Sequence, residues 1–397
     1  MPGLLSMDDA LALVLERVQP LEAESLTLDQ SVGRVLFEEV RATVDLPPFP
    51  SSAMDGYAVR AADTPGALSV VGHIAAGRPV ARALRPGEAM GIATGGVVPD
   101  GADAVVPIEL VVEKDNNIEV DVAMEMGAHV RAIGGDVHAG AAILGEGVHL
   151  GPPQLGAAAA AGVATLRCAR RPRAAVLSTG TELRRPGEPL GPGQIYESNS
   201  TMLQAALVGA GAEVEALEPV ADDADAHRRA LERGLTGDIL VTSGGVSVGP
   251  HDLVRSIERE LGVEEVFWRV AVKPGKPVAF GVRRRTLVFG LPGNPVSALV
   301  GFELFVRPAI RALQGAAEPG PRFALGRLGS SRRRTVSRDE LVRASTRTER
   351  GEIVVEPLQG QESHMIVRAA AADALLLVPR GEGELQPGER VRFLPLS

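Results

Sequence analysis

Three short segments bring hydroxyls, small residues and crowded backbone amides to points where a strand should hand over to a helix. They are Ser178-Thr179-Gly180-Thr181-Glu182, Thr242-Ser243-Gly244-Gly245-Val246-Ser247-Val248-Gly249 and Leu291-Pro292-Gly293-Asn294-Pro295. A helix start exposes unpaired N–H groups and a partial positive charge, so a strand, a small-residue loop and a helix in that order make an anion site. An ordinary crossover turn looks the same locally, and fold does not imply function. A fourth segment, Lys273-Pro274-Gly275-Lys276-Pro277, holds two lysines between prolines that fix the backbone. Ordering a lysine costs up to about 2 kcal/mol of side-chain entropy, which an anion partner offsets. Glu182, Asp222, Asp223 and Asp252 accompany these loops, with Asp55 and Asp136 upstream. Singly, each acid reads as a cap or a surface charge. Together they would repel an anion unless a hard cation such as Mg2+ bridges them, so the pattern predicts a metal-dependent reaction on a phosphorylated substrate.

The elements that must position these loops follow from periodicity. From Ala174 the chain alternates strand and helix patterns: strands at Ala174 to Leu177, Ala212 to Glu218, Ile239 to Thr242, Val266 to Val270, Val278 to Phe280 and Thr286 to Phe289, and helices at Asn199 to Val208, Asp223 to Leu235, after Asp252 and from Asn294-Pro295. Such alternation predicts a doubly wound sheet with ligands at the carboxyl ends of its strands. Upstream, Ser6 to Val18 reads as a helix capped by Ser6, and Pro152-Pro153 suits the first turn of a helix through Ala161. Short strand-like pieces are read at Ser25 to Leu28 and Arg34 to Val44, before a stiff Leu46-Pro47-Pro48-Phe49-Pro50 connector. Residues 68 to 137 carry short β-type runs broken by Gly, Pro and Asp, and residues 320 to 397 return to that pattern. The expected fold class is α/β plus β and multidomain. A central doubly wound domain (1–22 with 174–318) joins an elongated linking domain (23–45 with 138–173), a small β-rich insertion (46–137) and a C-terminal β-barrel (319–397). The arginines at 170–173 read as a solvated joint, and those at 283–285 and 332–334 as exposed turns.

A chain of 397 residues has ample length for several cores. Its net charge of −9 argues against a nucleic-acid footprint, and its single cysteine, Cys168, excludes an internal disulfide framework and a multi-cysteine zinc site. Asp8 and Asp9 stand where a secretory signal needs basic and then apolar residues, and no uncharged run is convincing as a membrane span. The expectation is a cytoplasmic protein with neither nucleic-acid nor membrane partner.

Ser52 to Ala58, Thr94-Gly95-Gly96, Ser178 to Leu183, Ser243 to Gly249, Lys273 to Pro277 and Leu291 to Ser297 jointly resemble the MoeA family of molybdopterin molybdenumtransferases, relatives of the gephyrin C-terminal domain. The resemblance runs from the first helix to the C-terminal barrel. It implies insertion of molybdate into adenylylated molybdopterin, with release of AMP and a divalent cation, by an elongated homodimer whose cleft is shared between the doubly wound domain of one subunit and the small β domain of the other. It further implies a separate molybdopterin adenylyltransferase as supplier and apo-molybdoenzymes as recipients. By motif, Asp55, Thr94, Asp136, Glu182, Asp252 and Lys273 fall on the family's functional positions, as do Asp222, Arg343 and Ser363. Arg269 stands where close relatives are expected to carry Lys, which keeps charge but not geometry. Asp55, Thr94, Glu182, Asp252 and Lys273 are expected to be catalytic, with Glu182 and Asp252 holding the cation. Asp136, Thr179, Gly180, Asp222, Ser243, Gly244, Gly245, Ser247, Lys276, Pro292, Gly293, Asn294, Arg343 and Ser363 are expected to bind substrate. The dithiolene sulfurs belong to the cofactor, so one cysteine suffices, and Cys168 reads as a packing residue. A non-catalytic molybdopterin-binding scaffold is the alternative.

Overall fold

The structure is a computed structural model, which describes residues 4–218, 220, 223–245 and 253–396. Helix α1 (Met7–Glu16) begins where the Ser6 hydroxyl accepts the Asp9 amide, and it buries Met7, Ala10 and Val14. Strand β1 (Ala23–Thr27) then pairs antiparallel with β8 (Thr165–Ala169), a strand far away in sequence. The expected strand at Arg34 to Val44 is not continuous. Val35 and Leu36 form isolated bridges, and only Val40–Arg41 makes a ladder. Helix α2 (Pro152–Ala160) carries proline in its first turn, as its sequence requires, and Cys168 is buried nearby as a free thiol.

The region after the proline-rich connector forms a six-stranded sheet of β2 (Gly56–Val59), β3 (Gly66–Ile74), β4 (Glu88–Ile92), β5 (Ala104–Pro107), β6 (Val111–Lys114) and β7 (Asn117–Val120), in spatial order β5-β2-β4-β3-β7-β6. All four residues of β2 and of β5 are buried, and apolar side chains cover both faces.

The central sheet contains β9 (Arg173–Ser178), β10 (Glu213–Ala216), β11 (Ile239–Ser243), β12 (Glu264–Trp268), β14 (Ala279–Arg283) and β15 (Thr286–Leu291), in the order β10-β9-β11-β15-β14-β12. Between β12 and β14 the chain forms β13 (Val272–Lys273), which pairs instead with the C-terminal region. Strands β10, β9, β11 and β15 run parallel, whereas β14 and β12 are antiparallel additions at one edge. Helices α3 (Asn199–Gly209), α4 (Ala224–Gly234), α5 (Leu253–Glu260), α6 (Pro295–Gly301) and α7 (Arg307–Leu313) accompany it. Two apolar clusters cover its faces: one packs α1, α3 and the helices after β15, and the other packs α4 and α5. Burial on both faces explains why β11 and β15 read as continuous apolar runs rather than alternating ones. Strand β10 follows β9 in sequence on one side, and β11 lies on the other, so the strand order reverses beside β9. In an open α/β sheet that reversal opens a crevice outside the carboxyl ends.

Strands β16 (Ala324–Leu328), β17 (Asp339–Glu349), β18 (Glu352–Pro357), β19 (Ala374–Val378) and β20 (Arg390–Pro395) close into a five-stranded barrel. Strand β17 pairs with both β18 and β19, and β20 joins β19 to β16. Short helix α8 (Ile366–Ala369) precedes β19. Closure removes the free edges that an open sheet of this size would present.

Arg170 corrects the expectation of a solvated joint. Its guanidinium grips Asp238, at the start of β11, with bonds of 2.7 and 2.8 Å, and Asp238 also accepts the Arg173 amide. The arginines at 332–334 are likewise not a free turn. Arg332 pairs with the buried Glu340, and Arg334 donates to the carbonyls of Pro379 and Arg380.

Candidate functional site

A cleft of about 620 Å³ opens at the carboxyl ends of β9, β11 and β15. Ser178 and Thr179 line it from the end of β9, Ser243, Gly244 and Gly245 from the end of β11, and Pro292, Gly293 and Asn294 from the end of β15. The described parts of all three predicted loops therefore meet in one place. The Thr179 amide donates to the Ser243 carbonyl at 3.0 Å and the Gly244 amide to the Leu291 carbonyl at 3.1 Å, tying each loop to the next.

The approach is close enough to demand glycine. Gly244 has φ +93, and a Cβ there would lie 2.7 Å from the Thr179 carbonyl oxygen; Gly245, at φ +65, would collide with Val254 of α5. Any side chain would therefore push the β11 loop away from β9 and open the floor of the cleft.

Asn199, at the first turn of α3, closes this floor. Its Nδ2 donates to Ser243 Oγ and to the Gly293 carbonyl, each at 2.7 Å. A carbonyl can only accept, so the amide orientation is fixed by chemistry. Asn199 Oδ1 is sealed without a partner among the described residues. Next to it, Glu197 is 6% exposed and lines the same cleft. Glu197 Oε1 accepts from the Ser178 hydroxyl at 2.9 Å and from the Ser200 amide at 2.8 Å. Glu182 is exposed at the rim, its carboxylate folded over Gly180.

The C-terminal barrel supplies the opposite wall. His364 and Ile366 line the cleft, and Asn294 Nδ2 donates to Ser363 Oγ at 2.9 Å. The wall is a loop pinned from behind by Arg343, which is 1% exposed. Its guanidinium donates to the carbonyls of Gly360, Glu362 and Met365, and Gln361 Oε1 accepts the Arg343 amide at 3.0 Å. Burial pulls its pKa below the ordinary arginine value.

Comparison with known proteins joins these parts. A family model described as the MoeA N-terminal region (domain I and II) matches residues 5–162, a probable molybdopterin binding domain matches 175–312, and the MoeA C-terminal region (domain IV) matches 326–396. Molybdopterin molybdenumtransferase 2 of Mycobacterium tuberculosis is 38% identical over 407 residues, covering 99% of this chain and 100% of that protein. The chain belongs to the MoeA family. Molybdopterin molybdenumtransferase of Haemophilus influenzae is 34% identical over 403 residues, covering 99% of each chain. The crystal structure of the molybdopterin biosynthesis moeA protein from Pyrococcus horikoshii OT3 superposes with a TM-score of 0.86 at 28% identity, over 99% of this chain and 100% of that one.

In this MoeA chain the residues expected at the site are not all in the cleft. Lys273 lies on β13 against the barrel, its Nζ 2.9 Å from the buried Glu340 carboxylate. Lys276 is exposed, with no ion pair among the described residues, and the adjacent Pro277 lines the cleft. Arg343 and Ser363 are engaged within the wall rather than facing its opening. Asp55 and Thr94 belong to the β-rich insertion and are bound to each other: Asp55 Oδ1 accepts the Thr94 amide at 2.7 Å and the Thr94 hydroxyl at 2.9 Å. Those two bonds hold the Asp55 carboxyl below its ordinary value. Asp136 is exposed, with its amide donated to the Leu46 carbonyl. None of Asp55, Thr94 and Asp136 lines the cleft of its own chain. Asp222, Ser247 and Asp252 lie outside the described residues. Arg269 adopts φ +78 and stacks on Trp268, 3.7 Å from the ring centre.

Glu197, Asn199 and His364 are cleft residues that sequence reasoning passed over. Asn199 was legible only as a helix start. The signal available was the run Glu197-Ser198-Asn199-Ser200, an acid and three small polar residues opening the first helix after β9.

One or two carboxylates and substrate phosphate oxygens suffice for Mg2+, which keeps several of its waters, so an exposed carboxylate such as Glu182 at the rim of the cleft fits that ion. Among the described residues no group of three or more His, Cys, Asp or Glu side chains could hold a metal by itself. Among them, too, no helix is long and apolar enough to cross a membrane.

Proposed function

We propose that this protein is a molybdenum insertase of molybdenum cofactor biosynthesis, which places molybdenum from molybdate into the dithiolene of adenylylated molybdopterin and releases AMP. One observation carries this reading. The three strand-end loops converge on a single cleft at the reversal of strand order, in a chain 38% identical from end to end to a protein named molybdopterin molybdenumtransferase.

The residues divide the work by chemistry. The Gly245 amide and the hydroxyls of Thr179 and Ser243 suit phosphate oxygens. Because Asn199 donates to Ser243 Oγ, the Ser243 hydroxyl keeps its own proton for a ligand oxygen. Lys276 adds a cation beside Pro277. Glu182 would hold a divalent cation together with the phosphates, and Asp252 is assigned as its second carboxylate ligand. When bound, the cation supplies charge neutralisation at the phosphoanhydride.

Asp55 and Thr94 act from a second subunit in this reading, since they are prearranged on each other yet absent from the cleft of their own chain. The protein is then a cytoplasmic homodimer, supplied by a separate molybdopterin adenylyltransferase and emptied by apo-molybdoenzymes. The alternative, a molybdopterin-binding scaffold, needs the cleft but no turnover. Purified protein mixed with adenylylated molybdopterin, molybdate and Mg2+ should release AMP and activate an apo-molybdoenzyme. Binding without molybdate-dependent AMP release would instead support the scaffold.

A further inference from the structure

We infer that Glu197 is the residue that reads the pyrimidinone edge of the pterin, by accepting its exocyclic amino and ring N–H protons on Oε2. The inference rests on the molybdopterin reading above and names which end of that ligand meets which wall.

The hydrogen-bond order around Glu197 leaves one oxygen over. The Ser178 hydroxyl has a single proton, donated to Glu197 Oε1 at 2.9 Å. Ser178 Oγ and Ser200 Oγ are 2.8 Å apart, so Ser200 must be the donor in that pair. The Ser200 amide adds a second bond to Oε1 at 2.8 Å. Oε1 therefore caps the start of α3 and anchors the end of β9, which accounts for half of the carboxylate. Oε2 takes no hydrogen bond from any described residue, and unlike Asn199 Oδ1 it is not sealed. The carboxylate of a residue that is only 6% exposed, held rigid through one oxygen while the other is left unsealed at a cleft-lining position, is a preorganised acceptor.

The ligand chemistry selects the edge. Phosphate and molybdate oxygens are acceptors and anionic, so they repel a carboxylate oxygen. The pyrimidinone edge of a pterin presents an amino group and an N–H side by side, which a carboxylate oxygen can accept. The donor-rich β11 loop lies on the same cleft floor, so phosphate and pterin edge are sorted to different patches by hydrogen-bond polarity alone.

The test uses full-length protein. In Glu197→Gln the amide oxygen stays with Ser178 and the Ser200 amide, which are donors, so the NH2 group faces the cleft and opposes the pterin's own donors. Molybdopterin affinity should fall at least about tenfold, the worth of a hydrogen bond to a charged group, while AMP affinity stays within about twofold. A second arm needs no variant: wild-type protein should bind pterin at least about tenfold more tightly than lumazine, in which a carbonyl replaces the 2-amino group. Equal affinity of wild type for pterin and lumazine, or of Glu197→Gln and wild type for molybdopterin, overturns the assignment. So does a parallel loss of AMP affinity in the variant. Failure of wild-type protein to bind molybdopterin at all would overturn the functional reading itself, and this one with it.

Discussion

Lys273 Nζ sits 2.9 Å from Glu340, a barrel carboxylate whose side chain is only 5% exposed. The lysine that the sequence marks for an anion thus fastens the 272–273 strap to the barrel. Glu340 also takes Arg332, so one buried acid serves two cations.

Substituting Lys273 should therefore affect stability as well as activity. Lys273→Ala is expected to cost about 1–3 kcal/mol of unfolding free energy, because it removes one partner of a buried acid. A double-mutant cycle with Glu340→Gln should return a coupling of about 0.5 kcal/mol or more in denaturant melts. A Lys273→Ala variant with unchanged stability would leave the lysine with a ligand role alone.

Arg343 should act through the loop that it holds. Arg343→Lys keeps the charge but cannot reach three carbonyls in a planar fork, so the barrel should lose about 2–4 kcal/mol. Amides of residues 360–366 should exchange faster with deuterium, ahead of the rest of the barrel. Unchanged exchange there would show that the loop keeps its shape without the guanidinium.

The Arg170–Asp238 pair predicts an acid-side loss of stability. Burial raises the Asp238 pKa, but the Arg170 hydrogen bonds, the Arg173 amide and nearby positive charge outweigh it, so the net shift is downward. A depressed carboxylate contributes stability that is present above its unfolded value and is lost as pH falls through its folded value. Arg170→Gln should be clearly less stable than wild type near neutral pH, and the gap should shrink as pH falls through that acid window. A gap that is constant with pH would contradict this.

Tyr57 carries a second pH signature. Burial first, then its 2.5 Å bond to Glu113 and that residue's charge, push its pKa up to about 12. Ultraviolet titration should show one tyrosine ionising near there. Glu113→Gln should bring it down, since the variant lacks the negative charge. The raised value stabilises the fold below the unfolded tyrosine value, and that contribution is lost as pH rises through about 12.

Much of the fold was legible because local signals and burial agree. Ser6 and Asp223 cap the helices that their positions announce, Pro152 starts α2, and the apolar runs of β11 and β15 are the buried strands. The three glycine loops could be read as one site because a doubly wound sheet brings its strand ends together. The polar network was not legible, because Ser178, Glu197 and Ser200 meet only through tertiary packing. The bonds by which Arg343 holds its loop, and the Arg170–Asp238 pair, escaped for a related reason. Nothing in an arginine's neighbours along the chain says that carbonyls or an acid tens of residues away will surround it. Arg34 to Val44 has strand composition but no continuous partner, so it settles into bridges at Val35 and Leu36 and a short ladder at Val40–Arg41.

The central claim, that this cleft performs molybdenum insertion, is tested most directly by single-turnover AMP release from adenylylated molybdopterin, with and without molybdate, in wild type and Glu182→Gln. About one AMP per cleft should be released only when molybdate and Mg2+ are present, and release should be slowed at least about tenfold in the variant. AMP release that ignores molybdate, or that proceeds at the wild-type rate in Glu182→Gln, would contradict it.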